Sequence, residues 1–238
     1  MATFVLVHGA MHGGWCWNRV RRQLTGLGHE VFTPTLTGLG DRRQSLTPAV
    51  GVETHIIDLT DLLYFEDLWE VHLVLHSYGG VMAGPVVERV VDRISSVTFL
   101  GAFVVEDGQS LLDVEPPEVK ARYQELATEA GQGWRIPADD SFLAQWGVPE
   151  DLRPIVGPRL TDFPLRCATD AVRYDSTALQ SVRRSYIRHT EPLLSSLERS
   201  YDQAVQLGCA TFDIACGHDA MLDDPDGTVA LLREIAGQ

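Results

Sequence analysis

The sequence predicts an α/β fold, with a mostly parallel central sheet that carries helices on both faces. Short apolar segments alternate along the chain with segments of helical periodicity, which is typical of strands joined by crossover helices. The 238 residues suit one domain of this class and leave enough interior for a substantial core. With 45% hydrophobic and 22% charged residues, the composition is that of an ordinary globular protein.

The strand and helix patterns follow one another in order. The predicted strands are residues 3–7, 30–34, 72–75, 96–103, 184–187 and 211–215. The predicted helices are residues 15–27, 52–65, 78–91, 195–207 and 224–235. Because most strands are followed by a helix, we expect the strands to lie parallel and the helices to cover both faces of the sheet.

Residues 107–182 differ from the rest, because they contain many prolines and no convincing strand pattern. We interpret this segment, called the insertion below, as a helical cap over the carboxyl edge of the sheet. The core of the single domain is then formed by residues 1–106 and 183–238. A cap of this kind excludes water and supplies an apolar pocket, for which Trp134 and Trp146 are candidate substrate-binding residues.

Charge and cysteine usage limit the expected partners. The formal net charge of −14 argues against nucleic acid and membrane surfaces, because both are anionic. The chain starts with a strand pattern rather than a signal segment, and its four cysteines form no C-x-x-C pair, so we expect a cytoplasmic protein with reduced thiols. No motif indicates a metal or an organic cofactor, and a homodimer is left open.

The HSYGG run contains the candidate nucleophile, Ser77. This serine lies between a buried strand and a helix, where a tight turn projects the hydroxyl above the sheet edge and the helix N-terminus favours negative charge. Gly79 and Gly80 let the strand and the helix approach each other. Leu75 stands where the G-x-S-x-G pattern has its first glycine, so the turn departs from that pattern.

The partners of an acyl-transfer serine are expected at the same edge. His218 follows the last predicted strand and precedes the last helix, which makes it the candidate general base. The glycine-rich run after the first strand exposes backbone N–H groups, and the amides of Ala10 and Tyr78 are the candidate oxyanion donors. A structural role is expected for His8, whereas His12 is a candidate for substrate contact.

Several motifs in order resemble the plant methylesterase and hydroxynitrile lyase family of the α/β-hydrolase superfamily, and its bacterial esterase relatives. The motifs are FVLVHGAMHGGWCWNRV, HSYGG, FLGAFVVEDGQSLLD, RLTDFPLR and GHDAMLDDP. The resemblance implies a capped α/β-hydrolase fold, a Ser-Asp-His triad and activity on small, often aromatic, esters. The lyases of the family have threonine and lysine where this chain has Gly9 and Asp219, and this difference favours the esterases.

The acid of the implied triad is missing from its usual place. The family position after the penultimate strand holds Pro192, and the alternative position after the preceding central strand holds Gly101. Glu191 is the nearest carboxylate along the chain and is therefore the candidate acid, with Glu106 and Asp107 as remote substitutes. Loss of the orienting acid can cost about 10⁴ in turnover.

Three hypotheses follow. The first is a serine esterase that hydrolyses small apolar or aromatic carboxylic esters, methyl esters among them, through an acyl-enzyme on Ser77 with His218 and Glu191. The second is a non-hydrolytic enzyme of the same fold, with lyase, cyclase or decarboxylation chemistry on a biosynthetic intermediate. The third is a ligand-binding protein that has lost turnover.

Overall fold

A computed structural model of the protein describes residues 1–237. Eight strands occur in this part of the chain: β1 (Thr3–Val7), β2 (Glu30–Phe32), β3 (Val71–His76), β4 (Ile94–Leu100), β5 (Arg135–Ile136), β6 (Phe163–Pro164), β7 (Arg183–His189) and β8 (Ala210–Ile214). Six of them form one sheet in the order β2-β1-β3-β4-β7-β8. Every neighbouring pair in this sheet is parallel, which confirms the predicted fold class.

The α-helices lie between and after the strands. They are α1 (Asn18–Gly26), α2 (Val52–Phe65), α3 (Ala83–Val90), α4 (Leu111–Val114), α5 (Pro117–Glu129), α6 (Ser141–Gln145), α7 (Arg153–Val156), α8 (Leu165–Thr169), α9 (Ser176–Ser181), α10 (Glu198–Gln206), α11 (Ala220–Asp223) and α12 (Pro225–Ile235). Short 3₁₀ turns occur at Gly14–Trp17, Gly40–Ser45, Ser77–Met82, Val91–Arg93, Gly157–Arg159 and Ser195–Leu197.

The sheet is buried on both faces. In β1, Phe4 and Leu6 pack in one hydrophobic cluster, while Val5 and Val7 pack in the other. This alternation is what the period of two predicts for a strand covered by helices on both sides. Helices α1 and α12 contribute to the cluster with Phe4 and Leu6, whereas α2 and α3 contribute to the other.

The strand order places a crevice above β1 and β3. The chain passes from β1 to its neighbour β2 and then crosses to β3 on the other side of β1. Segments that leave the carboxyl ends of two such strands diverge, and ligands of open α/β sheets bind in the gap between them. The loop after β1 and the turn after β3 carry the candidate oxyanion donors and the candidate nucleophile.

The insertion is not wholly helical. It contains α4 to α9, and also the antiparallel ribbon in which Arg135 pairs with Pro164 and Ile136 with Phe163. The absence of a strand predicted for residues 107–182 was therefore wrong. Strands of two residues are too short to show an alternating pattern. The boundaries of the insertion stay a prediction.

No helix within residues 1–237 is both long and apolar enough to cross a bilayer. Cys16, Cys167, Cys209 and Cys216 are all buried and unbridged.

Candidate active site

Ser77 begins the turn that follows β3, and its backbone has a φ of +52°. This left-handed conformation is unfavourable for a non-glycine residue, and it is the conformation expected of a nucleophile on a sharp strand-to-helix turn. Leu75 does not prevent the turn, because its side chain is fully buried in the hydrophobic cluster on one face of the sheet.

Gly9 lets the loop after β1 lie directly against Ser77. A Cβ atom at Gly9 would lie 2.6 Å from the Cβ of Ser77, closer than real Cβ atoms approach, and 3.2 Å from its Oγ, which is a tight contact. Only glycine therefore permits this contact, and Ala10 follows at once. Ala10, Tyr78 and Ser77 line one cavity, so both candidate oxyanion donors belong to residues beside the serine.

His218 lies against the serine. Its Nε2 is 2.9 Å from Ser77 Oγ, and both residues are buried. The backbone of His218 is held on two sides: its N–H donates to the Trp146 carbonyl (2.9 Å), and its carbonyl accepts from His76 Nε2 (3.0 Å). These two hydrogen bonds fix the loop that carries the imidazole. The structure thus brings together the predicted nucleophile and the predicted base.

Glu191 does not reach His218. Its side chain is exposed, and its N–H donates to the Cys216 carbonyl (3.0 Å), which continues the pairing of β7 with β8. Pro192 packs against the insertion, since a Cβ at Gly147 would lie 2.3 Å from its Cδ. The expectation that proximity in sequence brings Glu191 to the base is therefore not met. Within residues 1–237, His218 Nδ1 has no hydrogen-bond partner.

His189 occupies the space beside the imidazole of His218. The two ring centroids are 5.0 Å apart, with the rings at 65°. A Cβ at Gly101 would lie 3.3 Å from His218 Nδ1 and 2.8 Å from His189 Nδ1. The alternative acid position thus adjoins the base, but it carries no side chain, and His189 fills the room. Neither nitrogen of His189 has a hydrogen-bond partner in the described part of the chain.

Burial keeps both of these histidines neutral. It holds the pKa of His218 well below its ordinary value, and the neighbouring His76 and His189 lower this pKa further. Burial also lowers the pKa of His189 to about 4. A neutral His218 is free to accept the proton of Ser77, but such a base is weak, because a general base works best with a pKa near the working pH.

His12 forms a buried ion pair with Asp219 on the other side of the loop. Its Nε2 donates to Asp219 Oδ2 (3.2 Å), and its Nδ1 donates to the Ala10 carbonyl (2.8 Å). Burial alone would lower the pKa of His12. The charge of Asp219 and the hydrogen bonds to Asp219 and to the Ala10 carbonyl outweigh burial, so the pKa is raised. Burial alone would raise the pKa of Asp219, but His12 and, to a smaller degree, His76 hold it well below its usual range.

The predicted substrate contacts are only partly brought to the cavity. Trp146 lines it with Ser77 and His218. His12 does not line it, because its ring is ion-paired and stacked on Trp15 (centroids 5.5 Å apart). Trp134 does not line it either: its indole N–H donates to Gln132 (3.4 Å) and its ring lies beside an arginine of the insertion.

The cavity is nearly closed by the insertion. Leu111, Tyr123 and Gln145 line it from the insertion, and Leu194 and Leu197 from the segment before α10. Its free volume is about 30 Å³, enough for little more than a water molecule. An aromatic ester therefore has to displace lining side chains before it reaches the serine.

Among the residues of the site that sequence reasoning missed are His76, His189 and Glu115. The two histidines are the last residues of β3 and β7, so their place at the carboxyl edge could have been found from the predicted strands. Glu115 lies in the insertion and lines the cavity. No sequence signal pointed to it, because the fold of the insertion does not follow from periodicity.

Comparisons with known proteins show the family of this chain. Residues 4–231 match the model of a family described as the alpha/beta hydrolase family. The carbendazim hydrolyzing esterase of Nocardioides sp. (strain SG-4G) is 34% identical over 95% of this chain and 96% of its own length. Salicylic acid-binding protein 2 of Nicotiana tabacum is 34% identical over 98% of this chain and 96% of its own length.

The solved structure of an extracellular alpha/beta-hydrolase from a Paenibacillus species has the same fold. It superimposes with a TM-score of 0.86 at 23% identity and covers 99% of both chains. The family suspected from the motifs is confirmed by these matches, and so is the predicted class of enzyme, a carboxylic ester hydrolase.

Proposed function

Because the chain belongs to the α/β-hydrolase family, we propose that it is a serine esterase for small carboxylic esters, methyl esters of apolar or aromatic acids among them. The observation that carries this proposal is the 2.9 Å contact between His218 Nε2 and Ser77 Oγ, on a turn of positive φ. The mostly apolar lining of the cavity supports the substrate class. Relatives named as an esterase and as a salicylic acid-binding protein support it as well.

In the proposed acylation step, Ser77 Oγ attacks the ester carbonyl while its proton passes to His218 Nε2. The negative charge that develops on the carbonyl oxygen is met by the N–H groups of Ala10 and Tyr78. At the start of a helical turn, the Tyr78 N–H has no intrahelical acceptor and is free for this role. His218 then returns the proton to the alkoxide, which leaves as the alcohol, and the acyl group remains on Ser77.

In the proposed deacylation step, a water molecule gives its proton to His218 and attacks the acyl carbonyl. The carboxylic acid leaves as Ser77 recovers its proton. In both steps His218 becomes transiently cationic without a hydrogen-bonded carboxylate at Nδ1 among the described residues, and the nearest rings are those of His76 (centroids 4.7 Å apart) and His189 (5.0 Å). We therefore expect turnover well below that of a complete triad.

A second candidate function is non-hydrolytic chemistry by the same serine and histidine. It is favoured by one observation, the lack of a carboxylate partner for His218 Nδ1 in the described residues. In a reaction without an acyl-enzyme, His218 need not carry a proton through two steps, so the loss of the triad acid would matter less. In this case Ser77 would position a substrate oxygen by a hydrogen bond rather than form a covalent bond.

The test compares the wild type with Ser77→Ala on p-nitrophenyl acetate and a set of aromatic methyl esters. We expect hydrolysis to fall to the buffer rate in Ser77→Ala. Ser200→Ala is the matched control, because Ser200 is also a buried serine, it lies in α10, and its hydroxyl has no partner within residues 1–237. Glu191→Gln is expected to keep turnover within about twofold, because its side chain is exposed.

A fluorophosphonate probe tests the nucleophile directly. Labelling of Ser77, located by peptide mass spectrometry and absent in Ser77→Ala, is the expected result. Hydrolysis that persists in Ser77→Ala would exclude the proposed mechanism. No hydrolysis and no labelling, together with tight binding of an aromatic ligand, would favour the binding-protein hypothesis.

A further inference from the structure

A carboxyl group lies inside the otherwise largely apolar cavity. Glu115 follows α4 and lines the same cavity as Ser77 and His218. Its residue is only 8% exposed, and its Oε2 has no hydrogen-bond partner in the part of the chain that the structure describes. It also makes no ion pair with a described residue.

The placement of Glu115 costs stability. A buried carboxylate without a cation loses its hydration and gains little in return. Burial raises the pKa of Glu115 to about 7, the hydroxyl of Ser196 opposes this in part, and the charge of Glu118 adds to it. The protein itself thus supplies one weak donor, the Ser196 hydroxyl, for a carboxyl group with two oxygens. The second oxygen, Oε2, can therefore accept a hydrogen bond from a ligand.

The rest of the cavity wall is largely apolar, and its polar side chains, Tyr123, Gln145 and Ser196, leave Glu115 Oε2 without a hydrogen bond in the described part of the chain. Its apolar side chains are those of Phe103, Leu111, Leu194 and Leu197. The cavity is also lined by Trp146, whose ring stacks on Phe142 (centroids 5.4 Å apart, rings at 29°). A polar acceptor in such a wall fixes the orientation of a ligand that carries a matching donor. A site built to hydrogen-bond a substrate N–H or O–H also rejects the analogue that lacks this donor, because the buried acceptor is then left unpaired.

We propose that Glu115 is a specificity-determining residue that accepts a hydrogen bond from an N–H or O–H donor of the ester substrate. The substrate class is an aromatic ester whose acyl part carries such a donor, for example an arylamine or a phenol. This inference rests on the proposed esterase function for its place at Ser77. Esters that carry a second carboxylate are disfavoured, because two buried carboxylates repel each other.

The test uses a matched pair of esters, methyl 3-aminobenzoate and methyl 3-methylbenzoate, which differ in an amino and a methyl group of similar size. The measured quantity is the ratio of kcat/KM for the amino ester to that for the methyl ester. We expect Glu115→Leu to lower this ratio by about 10- to 100-fold. Glu115→Gln keeps one acceptor oxygen and is expected to retain part of the preference.

Glu125→Leu is the matched control, because Glu125 is an exposed acid on α5. It is expected to leave the ratio unchanged. The Glu115→Leu variant removes an unpaired buried carboxyl, so its melting temperature should not fall, and Glu115→Gln serves if the leucine variant does not fold.

Binding separates this inference from the esterase proposal. The dissociation constants of the two esters are measured in Ser77→Ala with and without Glu115→Leu, so that no turnover is needed. A preference for the amino ester that Glu115→Leu removes supports the subsite even if no ester is hydrolysed. A ratio that Glu115→Leu leaves unchanged, in both turnover and binding, would overturn the subsite while the esterase proposal stands.

Discussion

Two histidines in this protein have opposite surroundings although they lie on the two sides of one loop. His12 is paired with Asp219, and both of its ring nitrogens donate hydrogen bonds. His218, the neighbour of Asp219 in sequence, contacts Ser77 through Nε2 and has no partner at Nδ1 among the described residues. The buried carboxylate of Asp219 therefore pairs with the histidine that does not touch the serine.

The two histidines show two roles that a buried imidazole can have, one as a charged partner in an ion pair and one as a neutral ring. The His12–Asp219 pair stabilises the loops after β1 and β8, because opposite charges compensate each other in the interior. The second oxygen, Asp219 Oδ1, makes no hydrogen bond within the described residues and lies 3.8 Å from His76 Nε2. His218 is kept neutral by burial and by its histidine neighbours, which leaves it free to take a proton but gives it little power to hold one. In the proposed mechanism the cluster therefore has two parts: the His12–Asp219 pair stabilises the loops, and His218 takes up the proton.

The largest effect is expected when the ion pair is broken. Asp219→Asn leaves His12 buried without its counter-charge, and the free energy of unfolding should fall by about 3–5 kcal/mol in urea denaturation at pH 6. Asp213→Asn is the control: it breaks a pair with Arg188 on the surface (3.0 Å), where about 0–1 kcal/mol is expected. A loss no larger than that of the control would contradict the stabilising role of the pair.

The stability that the His12–Asp219 pair contributes depends on pH. The pKa of Asp219 is lowered in the folded protein, so its contribution is present above the unfolded pKa of about 3.9 and is lost as the pH falls through the folded pKa. The pKa of His12 is raised, so its contribution is fully present below about pH 6.5 and is lost as the pH rises through the folded pKa. The stability difference between wild type and Asp219→Asn should therefore be largest between about pH 4 and pH 6.5.

The second prediction gives His218 the carboxylate that it lacks. Gly101 has a φ of +48°, which aspartate tolerates better than most residues, and its Cβ direction adjoins His218 Nδ1. Gly101→Asp needs His189→Ala to make room. The double variant is expected to raise kcat/KM for p-nitrophenyl acetate by about 100-fold over His189→Ala alone. A folded double variant with no gain would show that the orientation of His218 is not what limits turnover.

The third prediction concerns the acidic limb of the pH profile. Protonated His218 cannot act as a base, and its pKa is lowered, so wild-type kcat/KM for p-nitrophenyl acetate should change less than about twofold between pH 7.5 and 5.5. An imidazole of ordinary pKa would lose about tenfold over this range. Glu115→Gln is the control, because the pKa of Glu115, about 7, lies in the same range.

In the variant that carries Gly101→Asp and His189→Ala, the added carboxylate stabilises the imidazolium of His218. The acidic limb should therefore move to higher pH. A wild-type profile that already falls tenfold by pH 5.5 would mean that His218 has an ordinary pKa, and the contrast with His12 would disappear.

The sequence predicted those features that depend on contiguous residues. Residues 3–7 and 52–65 were predicted as strand and helix, and both match the observed bounds, because each periodic pattern is complete within its own segment. Ser77 and His218 could be predicted as candidates because a strand-to-helix turn and the loop after the last strand leave local signals, and the structure places the two side chains in contact. The ribbon inside the insertion left no such signal, since its strands are two residues long.

The sequence by itself predicted the succession of strands and helices along the chain and the turn that carries Ser77. It also predicted His218 as the histidine that contacts this serine. Only the tertiary structure decided which carboxylate pairs with which histidine. Asp219 turns to His12, and His189 fills the space beside His218. Glu191 points to solvent, although its place along the chain made it the candidate acid. The physical reason is that these side chains leave the carboxyl ends of different strands and converge in three dimensions, where burial and charge select the partners.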